Sequence, residues 1–170
     1  SFMFFPNHQG LYDVLAMIET SPRFFSIVAK IELMKIGFLR TVFKVMGAYV
    51  IDREDVRQSM KVIQSVSEDV KNGKSFLIFP EGTRSRNGNE IGEFKGGSFK
   101  SATKAKCPIV PVAIIDSYKA FDTKSIEKVT VQVHYLEPLY YDDYKMLKTN
   151  EIAEIVSKKI KKTIDNYTKC

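Results

Sequence analysis

An imidazole and a carboxylate stand five residues apart in Asn7-His8-Gln9-Gly10-Leu11-Tyr12-Asp13, where an apolar run ends and a helical pattern begins. With an unperturbed pKa near ~6.5, histidine is the side chain best matched to proton transfer at neutral pH. A carboxylate beside it fixes the tautomer and stabilises the imidazolium. No activated Ser or Cys accompanies the pair in sequence, so a catalytic His8 would activate a hydroxyl carried by the substrate. On a continuous helix, residues i and i+5 point about 140° apart and would not meet. The spacing therefore places His8 in the loop before a helix and Asp13 in its first turn. The same two residues also suit an exposed loop histidine and an unrelated carboxylate favoured by the helix dipole.

A second cluster, Phe79-Pro80-Glu81-Gly82-Thr83-Arg84-Ser85, gathers a carboxylate, a glycine, a hydroxyl and a guanidinium on one short stretch. Arg84 offers a planar fork suited to bidentate phosphate binding. Gly82 permits close backbone approach and Thr83 can donate to an anion. A plain surface turn, with Glu81 and Arg84 satisfying each other, fits the composition equally well. The stretch lacks the G-x4-G-K-[ST] pattern of a Walker loop. A third cluster, Asp52-Arg53, ends another apolar run and offers a further cation.

The elements that must carry these clusters follow from periodicity. Phe2 to Phe5, Phe24 to Ala29, Ala48 to Ile51, Ser75 to Phe79, Ile109 to Ile115 and Val129 to Tyr135 read as strands. Helical spacing marks the stretches around Leu11 to Ile18, Leu39 to Met46, residues 55–72, Ser98 to Lys106 and a final helix capped by Asn150. Strand and helix in alternation predict an α/β fold: a mostly parallel mixed sheet with helices on both faces, as one domain over residues 1–170. In such sheets ligands bind outside the carboxyl ends of the strands. His8, Asp52-Arg53 and the Glu81–Arg84 loop all fall at those ends, which makes one site built from three loops the economical reading.

Composition bounds the rest. The chain has 170 residues, 44% of them hydrophobic, enough for one core. Cys107 and Cys170 have no metal-ligand spacing and suit a reducing compartment. His8 and His134 are the two imidazoles, and His134 reads as an ordinary strand residue, which argues against zinc. No metal and no resident cofactor are expected. No run approaches the ~20 apolar residues of a membrane span. Ser1 to Phe5 already resembles a core strand without a lead-in, so the chain reads as a trimmed piece, with room for a membrane anchor upstream. Residues 145–170 hold seven Lys against Glu151, Glu154 and Asp165, which is +4 of the net +6. This tail suits either an anionic surface or a solvated helix face. Nucleic-acid binding is not expected, because the lysines show no aromatic interleaving.

Taken together, the clusters resemble the glycerophospholipid acyltransferase family. Asn7 to Asp13 resembles its N-H-x4-D block. Gly47-Ala48-Tyr49-Val50-Ile51-Asp52-Arg53 is similar to G-x-x-F-I-D-R, and Phe79 to Ser85 matches F-P-E-G-T-R-S. Val110-Pro111-Val112-Ala113-Ile114 resembles the proline-centred fourth block, while Lys30-Ile31-Glu32-Leu33 and Phe94-Lys95-Gly96-Gly97 resemble K-x-E-L and F-K-x-G. Gly10 stands where many members have Ser, and Val50 where Phe is usual. The resemblance implies acyl transfer from acyl-CoA or acyl-carrier protein to the free hydroxyl of 1-acylglycerol 3-phosphate, giving phosphatidic acid. It gives His8 and Asp13 the catalytic roles, and Arg53, Glu81, Gly82, Thr83 and Arg84 the phosphate end of the acceptor. It also implies work at the cytoplasmic face of a membrane. Other readings are a glycerol 3-phosphate or other lysophospholipid acceptor, thioester hydrolysis by the same pair, and a non-catalytic anionic-lipid module.

Overall fold

The computed structural model describes residues 1–52, 54–124 and 126–168. Arg53, expected in the phosphate site, lies outside the described residues, as does Cys170.

Six strands form one sheet: β1 (Met3–Pro6), β2 (Ser26–Lys30), β3 (Tyr49–Ile51), β4 (Phe76–Leu77), β5 (Ile109–Ile115) and β6 (Gln132–Tyr135), in the spatial order β3-β2-β4-β1-β5-β6. All pairings are parallel except β5 with β6. This is the mostly parallel mixed sheet expected from the sequence. β1 occupies the middle, so its carboxyl end opens between the ends of β4 and β5.

The pleat sends alternate residues of β1 to opposite faces. Met3 and Phe5 join the core under α3 (Val56–Lys71), α4 (Lys100–Ala105) and α7 (Thr149–Thr168). Phe4 joins the core under α1 (Asp13–Thr20) and α2 (Gly37–Val45). On the first face Phe5 stacks on Phe99 at 4.3 Å, and α7 contributes Ile152, Val156, Ile160 and Ile164. Those four recur every four or so residues, the stripe a core-facing helix needs.

Several boundaries differ from the sequence reading. Phe24 lies before β2 and is 75% exposed, because the buried alternation starts at Phe25. The last strand is β6, shorter than Val129 to Tyr135. α7 starts at Thr149, so Asn150 is inside it and packs against Gly96, where a Cβ would collide with the Asn150 side chain. Two helices of four residues, α5 (Tyr118–Phe121) and α6 (Tyr141–Tyr144), are too short to leave a periodic signal.

Candidate active site

Asn7 directly follows β1 and ties it in place. Its side chain donates to the Ile114 carbonyl (2.9 Å) and accepts from the Ile114 amide (2.7 Å), extending the β1–β5 ladder with an amide side chain. The next residue, His8, is therefore delivered to a fixed point at the sheet's carboxyl edge. α1 begins at Asp13, so the histidine sits in the loop and the carboxylate in the first helical residue, the arrangement the spacing required.

The two meet: His8 Nδ1 lies 2.7 Å from Asp13 Oδ2. The same oxygen accepts from the backbone amides of Gln9 (2.7 Å) and Gly10 (3.1 Å). Asp13 Oδ1 accepts from the Ser117 hydroxyl. The carboxylate is fully buried, and its place at a helix N-terminus favours its negative charge. With Nδ1–H donating to Asp13, the lone pair resides on Nε2. Phe79 stacks on the imidazole at 4.0 Å and 20°, which fixes the ring plane.

Ser117 and its neighbours complete the site around Asp13, and the sequence did not mark them. Asp116 ends β5 with φ 64, a left-handed conformation that Asp tolerates better than most residues. That turn brings Ser117 beneath Asp13. Ser117 also donates its amide to Gln9 Oε1 at 3.0 Å. Gln9 Nε2 donates to Asn89 Oδ1 (2.8 Å), and Asn89 in turn clamps Asp116 through its Nδ2 (2.9 Å). The partners are 27 to 108 residues apart in sequence and of common types, so no local pattern could signal them.

The Glu81–Arg84 loop borders the same point. Gly82 turns it with φ 74, and Ser85 donates its amide to the His8 carbonyl at 2.9 Å. Glu81 differs from the expected phosphate contact. One carboxylate oxygen accepts from the His8 amide (2.8 Å) and the other from the Gly92 amide (2.8 Å). Burial pushes its pKa above the ordinary 4.5, and the two amide bonds oppose that shift. Its geometry is that of a brace joining the His8 loop to the 90s loop. Thr83 is exposed, and Arg84 Nη1 pairs with Asp122 Oδ1 at 2.9 Å rather than with Glu81.

A cleft of about 620 Å³, open mouth included, starts at this point. His8, Gly10, Gly82, Arg84 and Lys30 give it polar groups, and Leu11, Val14, Ile27, Leu33, Leu39, Phe43 and Phe79 line its apolar length. Among the described residues, no cluster of three or more His, Cys, Asp or Glu side chains could hold a metal ion.

Fold and site together define an α/β protein with a buried His–Asp pair at the mouth of an apolar cleft. The Acyltransferase family model matches residues 1–115, and the chain belongs to that family. The 1-acyl-sn-glycerol-3-phosphate acyltransferase of Helicobacter pylori is 33% identical over 121 residues, 71% of this chain and 51% of that protein. A probable 1-acyl-sn-glycerol-3-phosphate acyltransferase of Mycoplasma pneumoniae is 29% identical over 95% of this chain and 65% of its own length. The crystal structure of the 1-acyl-sn-glycerophosphate (LPA) acyltransferase PlsC from Thermotoga maritima matches the whole chain with a TM-score of 0.79 and 25% identity, covering 67% of that chain. The chain thus spans about half to two thirds of the curated relatives it matches.

Proposed function

We propose that the protein transfers a fatty acyl group from a thioester, acyl-CoA or acyl-carrier protein, to the free hydroxyl of 1-acylglycerol 3-phosphate, forming phosphatidic acid. The observation that carries this reading is the Asp13-held imidazole at the mouth of an apolar cleft. His8 Nε2 takes the proton of the acceptor hydroxyl as its oxygen attacks the thioester carbonyl carbon. The C–S bond then breaks, and the departing thiolate receives the proton from the imidazolium. Attack is direct, so no acyl-enzyme forms. General-base assistance of this kind contributes ~10²–10⁴ in rate.

Arg84 and Lys30, both at the cleft, are the described cations placed to hold the acceptor phosphate. Arg53 remains assigned by the resemblance, and Gly82 and Thr83 by their place on the loop. Glu81 acts through the brace it makes, since a carboxylate would repel the phosphate. The apolar lining suits the acyl chain. Thiol release in detergent micelles, with and without lysophosphatidic acid, tests the reading. Acceptor-dependent release is expected, and fatty acid released without acceptor would instead establish a hydrolase.

Membrane contact belongs to the same proposal, at a different place from the one the charge distribution suggested. α7 spends its apolar stripe on the core and leaves Lys158, Lys161 and Lys162 on solvent. α2 buries Phe43 and leaves Phe38 (65%) and Val45 (79%) exposed, and Val45 borders the same surface groove as Phe24 and Arg23. Exposed apolar residues beside a cation fit an anionic bilayer surface. No described helix is long and apolar enough to cross a membrane. Val45→Glu should release the protein from phosphatidylglycerol liposomes, whereas unchanged co-sedimentation would remove α2 from the contact.

A further inference from the structure

Asp122 belongs to none of the sequence clusters, yet it holds the one group best suited to the acceptor phosphate. Its Oδ1 accepts from Arg84 Nη1 at 2.9 Å across a gap of 38 residues. Its Oδ2 lies over Gly10, where an added Cβ would collide with that oxygen and come within 3.2 Å of the Tyr118 Cα. Glycine at this position is what lets the carboxylate reach across. Asp122 closes α5, its amide donating to the Tyr118 carbonyl at 2.9 Å. The same short helix follows Ser117, so one segment touches the catalytic carboxylate at its start and Arg84 at its end.

We propose that Asp122 is a resident counter-ion that occupies the acceptor-phosphate position on Arg84 in the empty protein, and so sets acceptor affinity. The inference rests on Arg84 being the phosphate-binding group. The pair is partly exposed, 28% and 32%, at the rim of the cleft shared by His8, Gly10 and Arg84. A single Nη1 contact leaves other guanidinium donors for a ligand. A phosphate presents two or more oxygens and up to two charges to the same fork, so it displaces a monodentate carboxylate. Arg84 is thereby kept neutralised and in position between turnovers, and each acceptor must exchange with Asp122 before it is held.

Asp122→Asn keeps the shape against Gly10 and removes the charge. It should lower the acceptor KM about 2- to 5-fold, the range for a partly exposed ion pair, with kcat and the melting temperature unchanged. Inorganic phosphate, as a competitive inhibitor, should bind more tightly by a similar factor, which separates phosphate recognition from recognition of the lipid chain. A raised or unchanged KM in Asp122→Asn would overturn the proposal. The double-mutant cycle with Arg84→Ala keeps the two readings apart. Arg84→Ala alone should raise the acceptor KM, and no change there would sink the phosphate assignment itself. On the Arg84→Ala background, Asp122→Asn should have no further effect. A persistent drop in KM would mean that Asp122 repels anions generally and is not Arg84's counter-ion.

Discussion

The two faces of the sheet are finished differently. Among the described residues, 21 buried side chains form a closed layer under α3, α4 and α7, against 11 under α1 and α2. The first face has the long α7 pressed along β5, and its aromatic stack of Phe5 on Phe99 fills the centre. The second is covered by two helices of eight and nine residues, and α2 buries a single side chain completely. The shortfall is the cleft: Leu33, Leu39 and Phe43 face a space that no protein group fills. One face is closed by packing, while the other leaves open the cleft proposed for the acyl chain. The His–Asp pair sits at the carboxyl edge of the sheet, where Asn7 ties the chain to the β5 backbone, and it opens to the unfilled side.

That division is open to direct attack, beginning with the largest effect. Asp13→Asn removes the charge that orients His8 and should cut kcat about 10²- to 10⁴-fold; a fall below 10-fold in steady-state assays would break the dyad. On the closed face, Ile160→Ala should cost about 2–5 kcal/mol in urea melts while leaving the acceptor KM alone. If Ile160→Ala altered KM as much as stability, the two faces would not be separable. On the open face, Leu39→Trp narrows the cleft. It should reduce use of long acyl donors roughly 10-fold relative to short ones, the scale of pocket discrimination, with little loss of stability. Equal loss across chain lengths, measured as kcat/KM, would move the acyl chain elsewhere.

Smaller effects concern titratable groups. Glu81 has its pKa raised by burial. A raised folded pKa contributes stability that is fully present below the unfolded value of about 4.5 and is lost as pH rises through the folded value. Glu81→Gln should therefore flatten the stability profile just above pH 4.5, as followed by thermal melts, and an unchanged slope would contradict that. Cys107 is buried, with its thiol pushed up to about 12 by desolvation. In folded protein at pH 8 it should resist iodoacetamide, read by mapping the modified peptide.

The sequence disclosed what local spacing can carry. The placement of His8 in the loop and Asp13 in the first turn was legible from helix geometry, while their roles came from the family resemblance; α7 was legible because its apolar stripe runs for five turns or so. The sheet's parallel character followed from alternation of elements. What was not legible depends on distant pairs. Ser117 reaches Asp13, Asp122 reaches Arg84, and Asn89 reaches Gln9 only after β1 and β5 are neighbours. For Glu81, composition shows a carboxylate but not the two backbone amides that it accepts from. The basic tail drew attention to α7, whereas exposure of apolar groups, a tertiary property, points to α2.

The most direct test of the central claim is acceptor-dependent thiol release by His8→Ala beside the unsubstituted protein, with folding of both verified by circular dichroism. Loss of about 10²-fold or more, at an unchanged melting temperature, is the outcome expected if His8 is the base. Activity within a few-fold of the unsubstituted protein, in a folded variant, would contradict it.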